Sequence, residues 1–247
     1  MYLFILLTSN RHYNKKNDTI SDFKTQERCM KNQDKFPISM AVIPVTFLKQ
    51  NCTLLWRTSD MLGTVLDPGG DVDVIIKLVA DKGIKVQTIV LTHGHIDHAG
   101  GAKELSEKLD VKIEGPHLDD KFLLDTISEK ANEYGINYAQ NTTPDRWLSE
   151  GQICSIAGYD FETLHCPGHS PGSIVYMNHE LRFSIVGDVL FKGSVGRTDF
   201  SYGSHSKLIS NIKTKLLKPE YDDISFICGH GSPSSFGHER KTNPFLI

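Results

Sequence analysis

From Ala41 onward, short runs rich in β-branched residues alternate with stretches of helical period, a pattern that predicts interleaved strands and helices. AVIPVTF (41–47), CTLLW (52–56) and GTVL (63–66) read as successive strands ending at the turn Asp67-Pro68-Gly69-Gly70. A helix fits Val72 to Asp81 and closes at Gly83, and a strand follows from Val86 to Thr92. Ala99 to Leu109 is helical, with Leu105 and Leu109 one turn apart, and after KIEGP the segment Asp119 to Tyr134 reads as another helix. A linker from Asn141 to Asp145 leads back to strands at Gln152–Ile156, Asp160–His165, Ser173–Met177 and Leu181–Val186. Leu208, Ile209, Ile212 and Leu216 form an apolar stripe along a helix from Ser206 to Leu217, and the last strand is Ile224–Cys228. Two similar halves, without a repeat in the residues themselves, predict an α/β (α+β) chain with two sheets covered by helices.

The first 39 residues lack either period and read as a polar N-terminal extension, disordered or not native, ahead of a catalytic domain at 40–247. Met30 and Met40 stand just before the first convincing strand, so translation is expected to begin at one of them, which N-terminal sequencing of the native protein checks. The longest candidate span, Tyr2 to Leu7, is six residues, too short to cross a bilayer, and it lacks the flanks of a signal peptide. Lys+Arg 27 against Asp+Glu 30 leaves a net charge of -3, which excludes a global positive field and predicts no nucleic-acid or membrane partner. Five widely spaced cysteines without a CxxC pair fit neither a disulfide framework nor a thiolate zinc site. They are expected to be reduced and mostly buried, and a cytoplasmic enzyme is the default.

The chemistry concentrates in Thr92-His93-Gly94-His95-Ile96-Asp97-His98-Ala99-Gly100-Gly101, between a strand and a helix. His93 and His95 can point the same way from the strand end, with Gly94 allowing a tight bend. Asp97 and His98 enter from the turn into the helix. Four ligand-type side chains in six residues then aim at one small volume, which is how a protein holds metal without cysteine. Three more ligand-type residues stand at glycine-flanked strand ends: His169 in CPGHSPG, Asp188 in VGD and His230 in CGHG.

In these motifs the sequence resembles the metallo-β-lactamase-fold hydrolases, and within them the single-domain, glyoxalase II-like (hydroxyacylglutathione hydrolase-like) proteins. The resemblance runs from about Ala41 to the C-terminus and includes IPVT, QNC, VLDPGG, TPDRWL, FKGSVGRTDF and NPFL. It implies a four-layer αββα sandwich and a two-metal site. His93, His95 and His169 would hold the first ion, Asp97, His98 and His230 the second, and Asp188 would bridge them. The expected cofactors are two divalent ions, zinc first, with iron or manganese also suited to nitrogen and carboxylate donors. A hydroxide between the ions, oriented by Asp97, would attack a thioester such as S-2-hydroxyacylglutathione, whose thiolate leaves without much acid assistance. Asp188 as bridging carboxylate sets the chain apart from the lactamases that share the HxHxDH start.

Arg197 matches by position the basic residue that binds the glycine carboxylate of glutathione; a salt bridge to Asp199 is the equal alternative. Asp199 departs from the family's aromatic residue near this point. Asp67 either accepts a hydrogen bond from a ligand histidine or caps its turn. His117, His165, His205 and His238 read as surface or packing residues, and Cys166 and Cys228 as small buried hydrophobes. Two-domain glyoxalase II continues with a helical region, whereas this chain ends seventeen residues after His230. A smaller or different thioester, or a pocket completed by another chain, is therefore expected. The GRTDF stretch also resembles the persulfide dioxygenases, in which His93, His169 and Asp188 would hold a single iron. A phosphodiesterase or nuclease of the same fold is disfavoured by the net charge.

Overall fold

The computed structural model of the chain describes residues 3–6 and 38–247. Strands β1 (Leu3–Leu6), β2 (Ile38–Val45), β3 (Gln50–Arg57), β4 (Leu62–Leu66), β5 (Lys85–Val90) and β6 (Lys112–Glu114) form one sheet in that order. The second sheet runs β14 (Ser234–Ser235), β13 (Ser225–Ile227), β10 (Phe183–Ile185), β9 (Ile174–Asn178), β8 (Tyr159–His165), β7 (Ile153–Ile156). A small hairpin of β11 (Leu190–Phe191) and β12 (Ser194–Val195) stands apart. The N-terminal segment is strand backbone at Leu3–Leu6, paired antiparallel with β2, and Ile38 and Ser39 already belong to β2. The rest of the expected extension, with Met30, lies outside the described residues, while Met40 sits inside β2 opposite Leu55.

The helices α1 (Val72–Lys82), α2 (Ile96–Ala99), α3 (Ala102–Leu109), α4 (Lys121–Asp125) and α5 (Ile127–Glu133) accompany the first sheet. Helix α6 (His205–Asn211), continued by a π turn at Ile212–Leu216, and α7 (Phe236–Thr242) accompany the second. Strand β2 displays the layering by itself. Ile38, Met40 and Val42 join Phe161, Tyr176, Ile185 and Ile227 in a core between the sheets. Ala41, Ile43 and Val45 face Ile75, Leu78 and Leu105 of the overlying helices. A third core packs Val175, Met177 and Phe226 under Leu208, Ile212, Leu216 and Phe236. The order is helix, sheet, sheet, helix, as the four-layer αββα sandwich requires. Strands buried on both faces explain continuous apolar runs in place of strict alternation. Each large side chain so buried contributes about 1.5–3 kcal/mol.

Several elements are shorter than their patterns predict. The helix expected at Ala99–Leu109 is two, α2 and α3, parted at Gly100 and Gly101. The Asp119–Tyr134 helix breaks at Thr126, whose hydroxyl donates to the Phe122 carbonyl 2.8 Å away and competes with the ladder. The Ser206–Leu217 helix widens into its π turn. Helix α7, capped by Ser235 on the His238 amide, is absent from the sequence-based expectation.

Candidate metal centre

Pairs β4/β5 and β10/β13 are the parallel neighbours on which the site is built. In α/β sheets the carboxyl ends of such strands, where the chain leaves for a crossover, are where ligands gather. Asp67 follows β4, His93 follows β5, Asp188 follows β10 and His230 follows β13. His169 lies in the turn between β8 and β9, and Asp97 and His98 ride on α2. All seven expected donors meet at one end of the sandwich, each set drawing on both halves. Asn51 of β3 secures this across the halves: its amide nitrogen donates to the carbonyls of Cys228 (3.0 Å) and Gly231 (2.9 Å), and its backbone N–H donates to Gly229 O at 2.7 Å. A Cβ at Gly229 would collide with the Asp188 carboxylate and the His98 ring. Gly94 is needed for a similar reason and not for a positive φ: an added Cβ would lie 2.9 Å from Leu123 Cβ.

In the first set, His95 Nδ1 lies 3.0 Å from His93 Nε2 and 3.0 Å from His169 Nε2. The outward nitrogens are all engaged. His93 Nδ1 meets the Thr92 hydroxyl at 3.0 Å, His169 Nδ1 donates to Arg197 O at 2.8 Å, and His95 Nε2 meets Tyr202 Oη at 3.0 Å. Burial lowers the pKa of all three rings, His95 to about 3, with the neighbouring histidines adding to the effect at His93 and His95. Three neutral imidazoles therefore turn lone pairs toward one point.

The second set is charged. His230 Nε2 lies 3.1 Å from Asp97 Oδ2, and His98 Nε2 is 3.8 Å from the same oxygen. Asp188 stands between the sets, Oδ1 at 3.4 Å from His98 Nε2 and Oδ2 at 3.6 Å from both His169 Nε2 and His230 Nε2. Burial alone would lower the pKa of His98, but Asp188, Asp97 and Asp67 raise it well above the usual value. His230 is raised on balance as well, burial opposing and Asp97 and Asp188 prevailing. Burial would raise the carboxyls of Asp97 and Asp188, yet His98 and its neighbours hold both below the ordinary range.

The donors fit metal. His98 Nε2 and Asp188 Oδ1 are buried without a hydrogen-bond partner, a costly arrangement that a cation between them would relieve. His93, His95 and His169, and separately Asp97, His98 and His230, offer donor atoms all within 4.8 Å of one another. Asp67 groups with His93 and His98 too, but its oxygens are committed. Oδ1 accepts from Thr92 N–H at 2.7 Å, while Oδ2 takes the Thr92 hydroxyl at 2.6 Å and His98 Nδ1 at 2.8 Å. Asp67 thus accepts from the His98 ring, the contact on which the first of its two expected roles depends. His117, Asp119 and His165 form a further group away from the centre. There the imidazoles stack at 4.0 Å, His117 Nδ1 accepts the Asp119 N–H, and His165 Nε2 donates to Pro171 O.

Arg197 sits at the rim, not among the donors. Its guanidinium forks onto Asp199 at 2.7 Å for each bond and lies 4.5 Å over the Phe200 ring, which is the salt-bridge alternative. Cys52, Cys154, Cys166 and Cys228 are buried and free. Three positions carry roles that sequence reading did not assign: Asn51, Tyr202 and Asp120. Buried Asp120 accepts from Gly94 N–H (2.8 Å), Ser170 Oγ (2.7 Å) and Gly172 N–H (2.5 Å), tying the His93–His95 turn to the His169 turn. Burial pushes its carboxyl up to about 6 despite these bonds.

Residues 45–230 match the family model of the metallo-beta-lactamase superfamily. The chain belongs to this superfamily. Hydroxyacylglutathione hydrolase GloC of Haemophilus influenzae is 42% identical over 210 residues, covering 85% of this chain and 98% of that protein. Among solved structures, the BLEG-1 B3 metallo-beta-lactamase superposes with TM-score 0.76 at 30% identity, over 84% of this chain and 99% of its own. A di-iron-bound form of TTHA1623 gives 0.75 at 31%, over 83% and 99%. This superfamily member is a metallohydrolase-type enzyme akin to hydroxyacylglutathione hydrolase, with His/Asp clusters able to bind metal. Among its described residues, no helix is long and apolar enough to cross a membrane.

Proposed function

We propose that the protein is a binuclear metal-dependent thioester hydrolase whose substrate is S-2-hydroxyacylglutathione or a close thioester, split by water into a 2-hydroxy acid and the free thiol. The observation that carries this reading is the placement of Asp188, one oxygen facing His98 and the other facing His169 and His230. It supports two ions sharing a carboxylate: His93, His95, His169 and Asp188 around the first, Asp97, His98, His230 and Asp188 around the second. The identity to GloC supports the substrate class.

Two divalent cations, zinc with iron or manganese as substitutes, would acidify a shared water and polarise the thioester carbonyl. The chain supplies the rest. Asp97, partly exposed beside His230, is the carboxylate positioned to orient the attacking water. A departing thiolate takes its proton from solvent, so no general acid is needed at sulfur. Arg197 receives the substrate carboxylate at the rim by exchanging it for Asp199, a swap its planar fork accommodates. The free thiols of the buried cysteines suit a reducing, cytoplasmic compartment.

Elemental analysis of purified protein, run beside hydrolysis of S-lactoylglutathione, tests the proposal. The expected result is close to two metals per chain, with turnover abolished in His98→Ala. One iron per chain, with oxygen uptake on glutathione persulfide and no thioester turnover, overturns it in favour of the dioxygenase reading; the assembled Asp97, His98 and His230 set favours the hydrolase.

A further inference from the structure

His95 presents Nδ1, the nitrogen nearer its own backbone, toward His93 and His169, so its Nε2 points away from the donor cluster. A neutral imidazole that offers Nδ1 must carry its proton on Nε2, and that N–H needs an acceptor. The acceptor within reach is Tyr202 Oη, at 3.0 Å, from the loop between β12 and α6. The tyrosine ring is placed independently of that bond. It stacks on Phe200 at 5.2 Å and 13°, and meets Phe122 of α4 edge-on at 5.3 Å. Phe200 in turn lies 5.0 Å from the His95 ring and 5.7 Å from His169. Three aromatic side chains from two segments thus hold one hydroxyl against one ligand histidine. His93 and His169 obtain the same service from a hydroxyl and a carbonyl close to the sandwich, Thr92 and Arg197.

We infer that Tyr202 is a positioning residue for the first donor set: its hydroxyl fixes the tautomer and ring orientation that aim His95 Nδ1, and not Nε2, at the ion. The inference rests on the binuclear reading above. An outer partner of this kind governs how tightly its histidine holds metal, and losing one costs about 10–100-fold in affinity. The effect falls on one ion only, because Tyr202 touches no donor of the second set in its hydrogen bonding.

The test uses the full chain loaded with zinc, as wild type and as Tyr202→Phe, titrated with a chelator while bound metal is counted. Phenylalanine keeps the stack on Phe200 and removes only Oη. One of the two ions is expected to leave at about 10–100-fold lower chelator concentration, the other at the wild-type concentration. The metal-free variant should keep the wild-type melting temperature. Phe200→Leu, which loosens the stack but retains the hydroxyl, should shift the same ion by less. Retention of both ions as in wild type, or equal weakening of both, overturns the inference. Metal retention is read without substrate, so a failed thioester assay leaves the role of Tyr202 standing. A wild type that binds a single ion, weakened by Tyr202→Phe, overturns the two-metal reading and keeps this one.

Discussion

The two donor sets lie side by side yet are built on opposite electrostatic plans. His93 and His169, buried, and His95, partly buried, are neutral rings whose outward nitrogens are pinned by Thr92, Arg197 and Tyr202. Asp97, His98 and His230 are each held toward the charged form, with Asp188, Asp97 and Asp67 favouring a proton on His98. The first set offers free lone pairs to an arriving cation. The second must release protons before it can do so, because metal and proton compete for the same nitrogens. Histidine-rich sites with similar donors can therefore differ in pH response through the carboxylates behind them.

The sharpest way to break this contrast is to remove what the sets share. Asp188→Ala should strip both ions and leave His98 buried with less compensation, at a cost of about 3–5 kcal/mol in the metal-free protein. Metal analysis and denaturant unfolding measure the two effects, and retention of one full ion would show that the histidine set stands alone. Acidification should separate the sets next. His98 and His230 hold protons above the usual histidine value, so affinity for the second ion begins to fall at a higher pH than affinity for the first, and on acidification the second ion leaves first. His95, lowered to about 3, has no proton to displace there, and the first ion stays. Bound metal counted against pH should show two steps, and a single step for both ions would erase the distinction.

A smaller effect is expected from Asp67→Asn, which weakens the direct His98 contact and reaches His93 only through Thr92. The second ion should lose about 10–100-fold in affinity and the first less, as chelator titration would show. The mildest change belongs to the rim. Arg197→Ala should raise KM for a glutathione thioester with kcat unchanged, and Asp199→Ala should lower KM by freeing the guanidinium. Unchanged KM in both would remove Arg197 from the substrate site.

Much of the centre was legible because its residues are neighbours in sequence or stand at glycine-marked strand ends. The HGHIDH turn places four candidate donors within six positions, and Asp67, His169, Asp188 and His230 each follow a readable β run. Asp120 was not legible, since it lies 26 residues from Gly94 and 50 from Ser170, and nothing local to Leu118–Asp125 points at either. Tyr202 was hidden likewise, 107 positions from His95 in a turn without a period. The fold shows the same division. Layering followed from runs such as AVIPVTF, whereas the break at Thr126 depends on one hydroxyl competing for carbonyls within an otherwise helical pattern. Arg197 kept two readings open because its partner, two residues away, could also be displaced.

Each donor set borrows from both halves of the sandwich: His93 and His95 with His169, Asp97 and His98 with His230. An ion in either place is consequently a removable stitch across the molecule, closing chain loops of tens of residues or more that the unfolded polymer would otherwise leave open. Because such stitches would form only in the native state, bound metal would make heat resistance a function of free metal concentration and tie the protein's lifetime to the metal supply around it.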